Sequence, residues 1–245
     1  MKPDSTSSPN RLRAWIINRA VAVVLLVVAP ALVAPSPGLA QGPPEVMAPI
    51  MTVGTPSGWT GISGDGGLSS ETLRVTGGWV LRSIGFGERR DRPCYASGGF
   101  MQQDKKAYQA EELRRGQHVA VVVMESESRE VRKCEDGEEN ISSRRYLSVG
   151  NSDLPRAIHA VRVCQRRSND RIKGIEIFGS EIEVNGPRRD PALAVSEERP
   201  NCNEWNTKVS CPEGEVAVEL RVEFRGESAV GMSLRCAPAR IDVGG

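Results

Sequence analysis

The chain has 245 residues, 26% of them charged, with 32 basic against 31 acidic side chains and only two histidines. That near-neutral balance argues against nucleic acid as a partner, because such binding rests on neutralising phosphates. The length suffices for one domain, or for two small ones.

The first 40 residues are set apart by their order. Met1 to Arg19 is polar and carries Lys2, Arg11, Arg13 and Arg19. An apolar run follows from Ala20 to Ala29, is broken by Pro30, and resumes to Ala34. Pro35 to Ala40 (PSPGLA) then puts small residues before a cut at Gln41. This basic, apolar, small-residue order is that of a signal peptide spanning residues 1–40. The apolar run is shorter than the roughly 18–20 residues a spanning helix needs; an uncleaved anchor is the alternative. The mature protein is expected to be secreted or periplasmic and free of the membrane. Cleavage removes four basic residues and one acid, Asp4, so 32 and 31 become 28 and 30, a net charge of −2. Six cysteines remain with no Cys-x-x-Cys pair among them. In an exported chain this favours disulfides over a zinc site or redox pair.

Residues 41–70, rich in Gly, Pro, Ser and Thr, predict a flexible lead-in or linker, with Trp59 placed to tack it down. Residues 71–245 are expected to form a single disulfide-stapled all-β domain. Leu73–Thr76 and Trp79–Phe86 flank Gly77-Gly78 and predict a hairpin. Glu88–Arg92 predicts a charged loop. Met101–Arg115, closed by Gly116, predicts the one helix. Val119–Met124 (VAVVVM) predicts a strand buried on both faces. Glu125–Arg145 is charged, predicts a solvated excursion, and includes an Asn140-Ile-Ser sequon relevant only where the host glycosylates. Ala157–Cys164 and Ile172–Gly179 predict paired strands, and Arg188–Pro200 another charged loop.

The clearest pattern lies between Cys211 and Cys236. Val216, Val218, Leu220, Val222 and Phe224 alternate with mostly charged residues, and Val230, Met232 and Leu234 repeat the alternation after Gly226. A period of two predicts a hairpin with one apolar face. Its first strand would span about 33 Å, long enough to need a bend or bulge. A Cys211–Cys236 bond would contribute about 3.5 kcal/mol by restricting the unfolded chain. A short strand ending in cysteine also occurs at Ala157–Cys164, preceded by Cys134. The repeat suggests Cys134–Cys164 beside Cys211–Cys236 and leaves Cys94–Cys202, one of the many connectivities six cysteines allow.

Trp205, Cys211-Pro212 with Gly214, the alternating strand and Gly231-Met-Ser-Leu-Arg-Cys236 resemble a repeat of the vitelline membrane outer layer protein I family. The resemblance covers the C-terminal repeat only. It implies a β-prism, three antiparallel sheets about a pseudo-threefold axis, as in jacalin-type lectins; Ala157–Cys164 with Ile172–Gly179 is similar to a strand pair of such a sheet. Where that family carries paired aspartates and an asparagine, this chain has Gly226-Glu-Ser-Ala. The expected fold is all-β and prism-like, with a disulfide-bonded β-sandwich as the alternative.

No catalytic constellation emerges. There is no Gly-x-Ser-x-Gly elbow, neither His118 nor His159 neighbours a nucleophile motif, and the pairs Glu111-Glu112, Glu138-Glu139 and Glu197-Glu198 lie in charged tracts. No phosphate loop, metal-ligand spacing or cofactor motif is present, so neither metal nor cofactor is expected. Five Arg-Arg pairs (Arg89-Arg90, Arg114-Arg115, Arg144-Arg145, Arg166-Arg167 and Arg188-Arg189) suit anions, but neighbouring acids make them read as a charge-balanced surface. The candidate ligand contacts are Trp59, Trp79, Tyr95, Trp205, Arg166 and Arg167. The chain is expected to be a secreted, non-catalytic module binding carbohydrate or another surface polymer. The alternative is a structural or protein-interaction domain, inhibitors included, of the envelope or extracellular matrix. Oligomeric state stays open.

Overall fold

The computed structural model describes residues 50–113, 117–134, 141–150, 154–167 and 170–242, all within the compact unit Glu45–Gly245. Side chains are described except at 104–123 and 142–143. The signal segment, Arg114-Arg115 and Asn140 lie outside the described residues.

Among the described residues every regular element is a strand, and all pairings are antiparallel. Sheet I contains β5 (Val80–Arg89), β6 (Arg92–Leu113), β7 (Gln117–Arg132) and β8 (Ser142–Ser148), in the order β7-β6-β5-β8. Sheet II contains β9 (Arg156–Gln165), β10 (Ile172–Glu183) and β11 (Gly186–Glu198), with the short β12 (Glu204–Trp205) and β13 (Val209–Ser210) both on the free side of β9. Sheet III is built on β14 (Glu215–Arg225) and β15 (Ser228–Asp242), flanked by β4 (Ser69–Arg74) on β14. On β15 lie β1 (Ile50–Val53), β2 (Gly58–Trp59) and β3 (Ser63–Gly64).

The three sheets share one core, to which Leu81, Phe86 and Phe100, Ile158, Val161 and Ile177, and Leu220, Phe224 and Met232 all contribute. This is a β-prism arrangement with a repeat visible in the register. Each sheet centres on one hairpin, and the first strand of each carries a bulge at the same place. In β5 pairing steps from Leu81↔Phe100 to Ser83↔Gly99 and leaves out Arg82. In β9 it steps from Ile158↔Gly179 to Ala160↔Phe178 past His159. In β14 it steps from Ala217↔Cys236 to Glu219↔Arg235 past Val218. Aligned on the bulge, Leu81, Ile84 and Phe86 match Ile158, Val161 and Val163, and Ala217, Leu220 and Val222; all nine lie in the shared core. A bulge re-phases the alternation, so Val216 and Val218 pack in a second apolar cluster with Met51, Met101 and Ala237.

Several expectations are corrected. Residues 50–70 are strand-forming, not a loose lead-in: Gly54 and Ser57 donate backbone N–H to the carbonyls of Pro238 and Cys236, both at 2.8 Å, and Thr60 donates to Leu234. Main-chain pairing closes an edge that β15 would otherwise expose, and it leaves no side-chain signal in the sequence. The diglycine is not a hairpin turn, since β4 pairs with β14 and β5 with β6 and β8. The 88–92 loop is a tight turn with Arg90 and Asp91 at positive φ (45° and 66°). Met101–Leu113 is not a helix but the outer half of β6, paired to β7 as far as Leu113↔Gln117; long-range pairing overrides weak helix propensity. Val119–Met124 pairs with β6 alone among the described strands, so it is no central strand. Arg188–Glu198 is the edge strand β11, its residues alternately half-buried and exposed from Leu193 onward.

The disulfides are Cys94–Cys134, Cys164–Cys202 and Cys211–Cys236. The expected Cys134–Cys164 and Cys94–Cys202 pairs are replaced because the strand ending in Cys164 is the first of its hairpin, the counterpart of β14. Cys236 lies on the second strand, so the two cysteines are not equivalent. Cys94–Cys134 staples sheet I and Cys164–Cys202 staples sheet II. Cys211, whose N–H donates to the His159 carbonyl at 2.8 Å, ties sheet II to sheet III.

At one end the hairpin tips of all three sheets meet in a charged network. Lys173, with 0% side-chain exposure, lies 2.7 Å from Asp91 Oδ1 and 3.5 Å from the buried Glu88. Arg166 reaches Asp91 at 3.2 Å, Arg199 pairs with Glu88, Arg225 with Asp170 at 3.0 Å, and Arg92 with Glu227 at 3.5 Å.

Candidate functional site

The outer face of sheet I follows from the Arg82 bulge. Past it, Ile84 and Phe86 face the core, so Ser83 and Gly85 face outward. The register aligns two outward rows across the sheet. One runs Ser148, Ser83, Gly99, Ser128; the next runs Tyr146, Gly85, Ser97, Glu130. Their residues are small wherever the two central strands cross. A Cβ on Gly85 would stand 2.6 Å from the Tyr146 ring and 2.3 Å from Ser97 Oγ, and one on Gly99 would stand 2.1 Å from Ser83 Oγ. Real Cβ atoms do not approach so closely: a side chain at Gly85 would displace the Tyr146 ring, and one at Gly99 would turn the Ser83 hydroxyl aside. The result is an open groove of about 390 Å³ floored by Gly99 and Phe100. Arg82, Ser83, Ser97, Glu127, Ser128 and Tyr146 line it.

Tyr146 is 62% exposed. The position of Gly85 in the repeat explains why. Its counterparts are Arg162 in β9 and Arg221 in β14. The Arg162 guanidinium lies 5.0 Å from the Trp205 ring centre and that of Arg221 3.8 Å from the Trp59 ring centre. Two sheets therefore cap their outer aromatic with a cation. Sheet I has glycine at that place, and the ring stays open.

Beyond the second row the face is closed by charge. Tyr95 is buried between the guanidinium groups of Arg144 and Arg132, at 5.0 and 6.0 Å from its ring centre. Its hydroxyl donates to Glu130 at 3.1 Å and lies 3.5 Å from that of Tyr146. Burial pushes the Tyr95 phenol up to about 12, so it stays protonated at neutral pH. Glu127 pairs with Arg129 and Glu130 with Arg132.

The six candidate contacts taken from the sequence are not brought together. Trp79 is buried in the core. Tyr95 borders the groove with its ring covered, and Trp59 and Trp205 lie half-buried on sheets III and II. Arg166 is engaged at the hairpin tips by Asp91, and Arg167 beside it is exposed. Among the other arginine pairs, Arg145 meets Glu197, Arg188 meets Glu181 and Glu183, and Arg189 donates to the Cys211 carbonyl. His159 Nδ1 lies 3.0 Å from Ser180 Oγ, but Ser180 is fully buried, so no substrate reaches that hydroxyl. Burial first, then Arg189 nearby, pushes His159 down to about 4.

Sequence reasoning missed Tyr146, Ser83, Ser97 and Ser128. Their signal is the polar phase of alternation: Ser83-x-Gly85-x-Gly87, Tyr95-x-Ser97-x-Gly99 and Ser126-x-Ser128-x-Glu130.

Comparison with protein families finds no match, and comparison with curated proteins finds none either. Solved structures do match. The chain is similar to the Calsepa lectin crystallised with a biantennary N-glycan, at 11% identity and TM-score 0.42, covering 78% of this chain and 98% of that one. It is similar to Calystegia sepium agglutinin, at 12% identity and TM-score 0.39, over 78% and 98%. It is also similar to AcmJRL, a mannose binding jacalin related lectin from Ananas comosus, at 8% identity and TM-score 0.39, over 74% and 96%. Jacalin-related lectins are thus among its structural neighbours.

Proposed function

We propose that this protein is an exported, non-catalytic carbohydrate-binding module whose ligand seats on the outer face of sheet I. The observation that carries the reading is the exposed Tyr146 ring on its glycine floor beside serine rows. A sugar presents a C–H face that packs on an aromatic ring and a rim of hydroxyls that exchange hydrogen bonds with serine, which both donates and accepts. Ser83 and Ser128 lie in one row with Gly99 of β6 between them, two strand spacings or about 9.6 Å apart. An open groove on a sheet face suits the interior of a polymer better than a free chain end. Export is supported by the signal pattern of residues 1–40 and by three disulfides.

A glycan array and polysaccharide pull-down with the purified protein test this reading. Retention on at least one polysaccharide, lost at least tenfold in Tyr146→Ala with an unchanged near-ultraviolet spectrum, is the expected result. Failure to bind any sugar, with a protein partner crosslinking at the Tyr146 face, would overturn it in favour of an interaction domain.

A further inference from the structure

Arg82 adds a feature to the groove that a neutral sugar does not use. As the bulged residue of β5 it is skipped in the pairing with β6, and its side chain lines the groove beside Ser83. Its Nη2 donates to the Gly150 carbonyl at 3.1 Å, which fixes the guanidinium. Its Nε is buried and has no hydrogen-bond partner. A buried donor without an acceptor is destabilising, so the bond to Gly150 leaves Arg82 only partly satisfied by the scaffold. At the same bulge sheet II has His159, which meets Ser180, and sheet III has Val218, packed among apolar side chains. The repeat forms without a cation at this place.

The charges facing Arg82 leave it dominant. Glu127, the acid lining the groove, is held by Arg129, and Glu130, at the end of the second row, is held by Arg132 and by the Tyr95 hydroxyl. A carboxylate entering the groove would meet the part of the Arg82 guanidinium that the Gly150 carbonyl does not hold, together with the Ser83 hydroxyl, a charge-assisted contact. The Ser83 row lies two residues along β5 from the Gly85 row, about 6.6 Å. That distance is commensurate with one sugar unit stacked on Tyr146 and a carboxyl group at Arg82.

We propose that the groove selects acidic polysaccharides, polymers bearing uronate carboxylates, with Arg82 as the anion contact and Tyr146 as the stacking platform. This rests on the carbohydrate reading above and narrows it.

The test compares polygalacturonate with its fully methyl-esterified form, using the full exported protein in affinity electrophoresis or calorimetry. The esterified polymer keeps the sugar ring and loses the charge. Binding to polygalacturonate is expected to be at least tenfold tighter and to weaken with added salt, as exposed charge pairs do. Arg82→Gln should erase that preference while leaving residual binding to the ester; Tyr146→Ala should weaken both. Arg167→Gln, exposed and away from the groove, should change neither. Equal binding to the two polymers, or an unchanged preference in Arg82→Gln, would overturn the acidic selectivity and leave the carbohydrate reading standing. Loss of the acid preference in Arg167→Gln would show general charge attraction and overturn it too. Binding to neither polymer alongside retention of a neutral glycan overturns this inference alone, whereas no sugar binding at all overturns both. Should Arg82→Gln fail to fold, the comparison of the two polymers on the unmodified protein still decides.

Discussion

The Tyr146 ring packs against the bare Cα of Gly85, and that contact separates sheet I from its two siblings. In β9 and β14 the corresponding residue is an arginine that covers a tryptophan. One glycine thus leaves an aromatic ring uncapped. Gly85→Arg and Gly85→Val should each displace the ring, because a Cβ there would stand 2.6 Å from it. Both are expected to reduce polysaccharide binding at least tenfold, measured by affinity electrophoresis, with sheet content unchanged by circular dichroism.

The bulged His159 predicts a pH dependence of stability. Its pKa falls from 6.5 to about 4 on folding. The unfolded chain therefore binds a proton first, so stability is intact above pH 6.5 and is lost as pH falls toward 4. The loss attributable to this group is up to about 3 kcal/mol. Asp91 acts in the same direction lower down, because its hydrogen bond to Lys173 holds its pKa below 3.8. Chemical denaturation at pH 7 and pH 4.5 should show the first loss, and His159→Gln should largely abolish it.

Lys173 joins the tips of sheets I and II while fully buried. Lys173→Ala leaves Glu88 buried with one cation fewer and is expected to destabilise the fold by about 3–5 kcal/mol. Lys173→Met fills the same space but leaves the same acids, so it should recover only part of that loss. Equilibrium unfolding in guanidinium at neutral pH measures both.

Non-reducing peptide mapping should return Cys94–Cys134, Cys164–Cys202 and Cys211–Cys236. A Cys134–Cys164 peptide would contradict the assignment of one staple to each of sheets I and II. Replacing Cys164 and Cys202 together by alanine should cost about 3.9 kcal/mol, from the length of the loop they close.

The parts of the fold legible in the sequence are those where side chains carry the pattern. Leu220, Val222 and Phe224 alternate toward the core and announce β14, and Ile175 and Ile177 do the same for β10. The length of β14 anticipates a bulge, and one lies at Val218; those at Arg82 and His159 are invisible to a period-two reading, and all three re-phase the strands on either side. That is why Cys164 and Cys236 look equivalent in sequence and are not. Edge strands such as β2, β3 and β11 are held by main-chain hydrogen bonds and need no apolar run, so Gly- and Arg-rich segments read as loops. The groove stayed hidden for a related reason. Tyr146 directly follows the charged tract 125–145, and its partners Ser83, Gly85 and Ser97 occupy the polar phase of strands chosen for their apolar one.

We propose that the carbohydrate seats on the Tyr146 face rather than at the charged hairpin tips. Titration of isotope-labelled protein with acidic oligosaccharides, followed by backbone amide chemical shifts, tests it most directly. Shifts should concentrate at Gly85, Ser97, Gly99 and Ser128. Shifts confined to Arg90-Asp91 and Gly226-Glu227 would contradict the account.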